Sequence, residues 1–225
     1  MPLGLEIPRS EVIRYLGFRI KDADTSSLDD EIDACIKELG DKVNPGFVWK
    51  EYDMGIDVSG AVPQIKVADF GIRSKNLAKN LEGCKKAILF AATIGPEADR
   101  LVRRAEIRSA TTAAIYQAAG AAAIEALCDF ENDKLKDIYE RKAMNLKPRF
   151  SPGYGDVKLE HQKDWFRCLD ITKRIGVELT DSFLMVPTKS VTAIIGITSS
   201  LAHHDNKNCK DCTINKTCEF SRYGK

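Results

Sequence analysis

Long runs of one charge sign are missing from this 225-residue chain, in which 34 basic and 33 acidic side chains are interspersed to a formal net charge of +1. Without a basic stripe there is no electrostatic footprint for nucleic acid or an anionic membrane, so neither partner is expected. Also missing is any stretch of the roughly 18 apolar residues that a membrane helix needs. The start, Met1-Pro-Leu-Gly-Leu-Glu6, has no basic segment leading into an apolar one, so a cytoplasmic protein is expected. No glycine-rich phosphate loop of the dinucleotide or P-loop type occurs, which removes the motif support for a dehydrogenase or a nucleotide hydrolase. Internal repeats and low-complexity linkers are absent too, and one main domain is the simplest division of a chain this long.

Cysteine is present but unevenly used. Of seven, Cys35, Cys84, Cys128 and Cys168 sit singly among apolar neighbours, as small buried hydrophobes do, and only Cys209, Cys212 and Cys218 cluster.

The apolar pattern predicts helices and strands in blocks. Residues 9 to 40 read as two helices, the second after a Thr25-Ser26-Ser27 cap, with Leu28, Ile32, Cys35, Ile36 and Leu39 on one stripe and Gly40 as its stop. Phe47 to Ser74 is β-rich, with Phe-Val-Trp-Lys-Glu-Tyr and Gln-Ile-Lys-Val-Ala-Asp-Phe as strands. Lys86 to Gly95 is a nearly unbroken apolar run ended by Gly-Pro, which predicts a central strand leading into a helix that carries Ala98, Leu101, Val102 and Ala105. Residues 109 to 143, alanine-rich and free of proline, predict a long helix. Pro148 and Pro152 force a turn, Leu159 to Ile175 reads as one helix stopped by Gly176, and Glu178 to Val186 with Ser190 to Thr198 reads as a hairpin-like pair around Pro187. Without regular strand-helix alternation, the fold class is α+β, with a mostly antiparallel sheet and flanking helices. The domain spans residues 1–200. The apolar pattern then stops, and residues 201–225 form a cysteine-rich tail.

Two constellations carry chemistry. Arg149-Phe-Ser-Pro-Gly-Tyr154 joins a bidentate donor, a Pro152-Gly153 turn that lets backbone approach a ligand, and an amphipathic ring at Tyr154. Its physics fits a small carboxylate ligand, and also a plain linker in which Arg149 caps a helix and Tyr154 packs. The second, Cys209-x-x-Cys212-x5-Cys218, follows His203 and His204; three close thiolates suit zinc or an iron–sulfur cluster with His203, His204, Asp205 or a partner residue as fourth ligand. A redox-active Cys209/Cys212 pair and a reduced tail without metal are the other readings. Glu125, flanked on its helix by Ala118, Ala121, Ala122 and Cys128, is expected to face a packed side and to need a partner.

The motif Arg-x-x-Pro-Gly-Tyr, followed by Leu179-Thr-Asp-Ser-Phe-Leu-Met-Val-Pro and Ser190-Val-Thr, resembles the activation domain of cobalamin-dependent methionine synthase. Ala91-Ala-Thr-Ile-Gly-Pro-Glu-Ala-Asp-Arg100 and the alanine-rich run through Glu125 to Asp129 are similar to its free-standing members, so the resemblance covers roughly residues 10 to 200. It implies a module that binds S-adenosylmethionine and presents its methyl group to oxidised cobalamin being re-reduced on a separate methionine synthase or other corrinoid protein, with a flavodoxin-like or other electron donor. By that resemblance Arg149 would hold the ligand carboxylate, Pro152 and Gly153 would shape the approach, Tyr154 would lie near the methyl group, and Glu125 would accept the ammonium. An ordinary ion pair from Glu125 to Arg149 or Arg103 is the alternative. The chain departs from the fused synthases after Ile197, where their aromatic residues give way to Ser-Ser-Leu-Ala-His-His-Asp. Corrinoid-binding loops of the Asp-x-His-x-x-Gly type are missing, and His161 reads as a solvated helix-start residue, so the corrinoid would arrive on the partner. The competing function is a redox or metal-binding accessory of corrinoid metabolism that works through its tail. As an enzyme the chain would be at most part of a methyltransferase system.

Overall fold

A computed structural model describes residues 6–17 and 28–199. Its centre is a six-stranded sheet in the order β3-β2-β1-β4-β8-β5, every neighbouring pair antiparallel. The strands are β1 (Gly46–Asp57), β2 (Gln64–Val67), β3 (Phe70–Arg73), β4 (Lys86–Thr93), β5 (Asn145–Leu146) and β8 (Ser190–Thr198); β6 (Glu178–Leu179) and β7 (Met185–Val186) form a separate two-stranded ribbon. The α+β class with flanking helices is what the structure shows.

Both faces of the sheet are covered, which explains why β4 reads as an unbroken apolar run although its neighbours are antiparallel. Its Ile88, Phe90 and Ala92 face one core, together with Ala193, Ile195 and Ile197 of β8. That layer is closed by α1 (Arg9–Tyr15), α2 (Asp29–Lys42), α4 (Glu97–Glu106) and α5 (Ala110–Glu140). Ala87, Leu89 and Ala91 face the other core, closed by α3 (Lys75–Asn80), α6 (Gln162–Leu169) and α7 (Ile171–Ile175). At its middle Trp165 is fully buried, and its indole N–H donates to the Ala193 carbonyl at 2.9 Å, which satisfies its one polar atom. Each such fully buried large side chain contributes about 1.5–3 kcal/mol, whereas the exposed ion pairs are worth about 0–1 kcal/mol each. The two cores hold the fold.

The long helix is present as α5, with the Ser109 hydroxyl accepting from Thr112 N–H as its N-cap. Other expectations need correction. Glu178–Val186 does not pair with β8. β6 pairs with β7, and β8 pairs with β4 and β5, because a strand that is apolar on both sides belongs in the sheet interior. The helix expected over 159–175 is three pieces, a 3₁₀ turn (Leu159–His161), α6 and α7, because Asp170 adopts a left-handed conformation (φ 52°, ψ 46°) that ends α6. Gly176 (φ 66°) closes α7 as expected. Gly40 does not stop α2, which runs to Lys42; its expected cap at residues 25–27 lies outside the described residues. β1 is longer than expected, and Gln64 to Phe70 is split into β2 and the start of β3 by a turn with Ala68 at φ 52°. Among the described residues no helix is long and apolar enough to cross a membrane.

Candidate functional site

The chain leaving α5 runs along the edge of β8 and delivers Arg149 back onto the helix it came from. Leu146 pairs with Ile197, and Phe150 pairs with Ile194 through both backbone hydrogen bonds, at 3.0 and 2.8 Å. Four steps on one strand therefore oppose three on the other, a bulge at Pro148-Arg149. Directly opposed residues share a face, so Leu146 joins Ile197 in the core under α5 and Phe150 joins Ile194 in the core under α6. Side chains alternate along a strand, so Arg149, the neighbour of Phe150, points toward α5.

There its Nη2 donates to Asp129 at 2.8 Å and, more weakly, to Glu125 at 3.3 Å. Glu125 and Asp129 are four residues apart and so neighbours on one helix face. Arg149 Nη1 is buried and has no hydrogen-bond partner among the described residues. An arginine normally uses its fork on both sides, so a free, desolvated donor beside two carboxylates is a cost of roughly 1–3 kcal/mol that folding alone does not explain. The ion pair to Arg149, the alternative reading of Glu125, is present. Glu125 is not buried, however: its side chain is 47% exposed, so the small-residue flank expected to enclose it does not. Tyr15 of α1 lies within electrostatic reach of Glu125 and is stacked under Arg14, with the guanidinium 4.3 Å from its ring centroid; burial pushes its hydroxyl pKa up. Beneath, burial pushes the Cys128 thiol up to about 12, so it remains protonated.

The turn itself is well pinned. Gly153 (φ 95°) takes a conformation that favours glycine, and its N–H donates to the Val157 carbonyl at 2.9 Å. Pro152 is buried while Tyr154 is 70% exposed, so the ring stands clear of the core instead of packing into it. Asp156 then docks the loop on α3: it accepts from the Ser74 hydroxyl and from the N–H groups of Lys75 (2.7 Å) and Asn76 (3.3 Å). Partial desolvation pushes its pKa up, but these bonds hold it below the usual carboxylate range.

The structure thus brings Arg149 and Glu125 together and sets Pro152, Gly153 and Tyr154 on the adjoining loop. Sequence reasoning gave no role to Asp129 or Asp156. The i,i+4 spacing from Glu125 was a usable signal for the first, whereas nothing local announces that Asp156 meets α3. His161 is half-buried, with Nδ1 3.0 Å from Asp164. Among the described residues no group of three His, Cys, Asp or Glu is placed to hold a metal ion; Cys209, Cys212 and Cys218 lie outside them.

Comparison with known proteins bears out the resemblance. The family model of the vitamin B12 dependent methionine synthase activation domain matches residues 128–211, a span that includes Asp129, Arg149, Pro152, Gly153 and Tyr154 and excludes Glu125. Among solved structures the chain is similar to the MetH reactivation domain bound to AdoHcy, with a TM-score of 0.58 and 17% identity over 79% of this chain and 67% of that one. At that identity the likeness shows the fold. A search of curated proteins gives no match.

Proposed function

We propose, from the premise that the chain carries the activation-domain fold of vitamin B12 dependent methionine synthase, that it binds S-adenosylmethionine in the seam between α5 and β5. The observation that carries this is the unpartnered, buried Arg149 Nη1 beside the half-exposed Glu125. A cationic donor and a carboxylate side by side are complementary to the carboxylate and ammonium of one amino acid. The structural neighbour is described as bound to AdoHcy, which ends in that same amino-acid group. When bound, S-adenosylmethionine supplies an electrophilic methyl group. The chain's own residues contribute binding and aim: Arg149 holds the carboxylate, Glu125 the ammonium, and the Gly153-Tyr154 turn borders the methyl end. The cobalamin that takes the methyl group belongs to a separate methionine synthase or related corrinoid protein, reduced by a flavodoxin-like or other donor. Isothermal titration with S-adenosylmethionine tests the reading. The native chain binds, and Arg149→Ala loses about 1.5–3 kcal/mol, the value of a hydrogen bond to a charged group. No heat and no competition with the native chain would end it.

A second reading rests on the spacing Cys209-x-x-Cys212-x5-Cys218: the tail holds zinc or an iron–sulfur cluster, and the protein is a redox or metal-binding accessory of corrinoid metabolism. Anaerobic purification followed by metal analysis and a visible spectrum distinguishes zinc, cluster and neither. Colourless, metal-free protein with three titratable tail thiols removes this reading.

A further inference from the structure

Two carboxylates of α5 meet one guanidinium, and they do not share it evenly. Arg149 Nη2 donates to Asp129 at 2.8 Å and to Glu125 at 3.3 Å, so Asp129 holds the short, charge-assisted bond and Glu125 the long one. Asp129 has no other hydrogen-bond or ion-pair partner among the described residues, and its side chain is 59% exposed. An exposed ion pair adds about 0–1 kcal/mol to stability, so folding gains little from this one. A guanidinium is a rigid planar fork, and a bond that pins Nη2 therefore also orients Nη1. That Nη1 is the buried donor without a partner among the described residues.

Charge separates the two acids further. One guanidinium against two carboxylates leaves one negative charge over, and the Cys128 thiol beneath them, its pKa pushed up to about 12, adds none. Arg14 of α1, which stacks on Tyr15 within electrostatic reach of Glu125, bonds Glu11 at 2.6 Å. A cation arriving from outside is the natural complement of the charge left over. Glu125, on the longer bond, is the acid that such a cation can draw away. Asp129 stands one turn further along α5, about 6 Å on the helix axis, and keeps the arginine in place when Glu125 lets go.

We propose that Asp129 is a positioning residue for Arg149: it fixes the guanidinium through Nη2 so that Nη1 meets the ligand's carboxylate, and it leaves Glu125 for the ligand's ammonium. This rests on the S-adenosylmethionine reading and adds to it a division of labour between the two acids of α5. Asp129 touches no ligand atom and acts only through the arginine.

The test uses the full chain and two probes, S-adenosylmethionine and decarboxylated S-adenosylmethionine, which keeps the ammonium and lacks the carboxylate. Asp129→Asn weakens S-adenosylmethionine about 10-fold, the value of one charge-assisted hydrogen bond turned out of line. It leaves the decarboxylated probe and the melting temperature unchanged. Asp129→Ser, measured in parallel, does the same without an amide to replace the lost bond. Glu125→Gln weakens both probes. In an Arg149→Ala background Asp129→Asn changes nothing further, because two residues that act through one contact are not additive. If Asp129→Asn and Asp129→Ser weaken both probes alike, or neither, or if their effect adds to that of Arg149→Ala, the assignment is overturned while the S-adenosylmethionine reading stands. If the native chain binds neither probe, both fall.

Discussion

At the scale of single residues, the site depends on groups that sit outside the binding motif. Asp156 illustrates this. Its carboxylate crosses to the start of α3, where it satisfies two backbone N–H groups and the Ser74 hydroxyl, and so ties down the loop that carries Gly153 and Tyr154. Asp156→Ala leaves those N–H groups without their acceptor, at a cost of roughly 1–2 kcal/mol, comparable to losing a helix cap. The expected outcome is a melting temperature lowered by a few degrees and faster protease cleavage between residues 150 and 158, with weaker ligand binding as the loop loosens. An unchanged digestion pattern would show that the loop is held elsewhere.

At the scale of elements, α2, α4 and α5 are fastened by one carboxylate. Glu38 accepts from Lys42 at 2.6 Å, from Arg104 at 2.5 Å and from the Tyr116 hydroxyl, and the bonds from Lys42 and Tyr116 lead in drawing its pKa down to about 2. A carboxylate with a depressed folded pKa stabilises above its ordinary value of 4.5 and loses that contribution as the pH falls toward 2. Urea midpoints for the native chain should therefore fall more steeply between pH 5 and pH 2 than those of Glu38→Gln. The difference is about 1 kcal/mol once solvent screening of a partly exposed group is allowed for. Parallel pH curves for the two proteins would contradict this. The elements themselves were legible where the pattern was strong and local. The alanine-rich α5 and the apolar β4 announce themselves because propensity and burial agree over many residues. The partner of β8 could not be read from sequence proximity. Val186-Pro187 lies between two apolar segments and invites a hairpin, yet the strand apolar on both sides is drawn into the sheet centre. Asp170 broke an otherwise helical run through one left-handed residue that carries no composition signal. Of the site, Arg149, Pro152, Gly153 and Tyr154 were legible as a motif. That Arg149 meets Glu125 and Asp129 depends on a strand pairing some fifty residues away, which no local pattern encodes.

At the scale of the whole molecule, the described part of the chain is two helical layers closed over one sheet, with the candidate ligand seam between α5 and β5. Every residue assigned to that seam lies before Ser200. A chain ending at Ser200 is therefore expected to fold with the same cooperative melt and to bind S-adenosylmethionine within about twofold of the full chain, as groups far apart contribute additively; a large loss of affinity would place the tail in the site. The pairing beside the bulge at Pro148-Arg149 has a last consequence. Phe150 is anchored opposite Ile194 in the core under α6, and side chains alternate along a strand, so its neighbour Arg149 leaves on the α5 side. Deleting one residue between Leu146 and Arg149 would set three steps against three and keep both pairings, so the arginine would stay aimed at α5 while the kink is lost. The direction of the arginine is thus written in the pairing of its neighbour, and the bulge only takes up the spare length of chain.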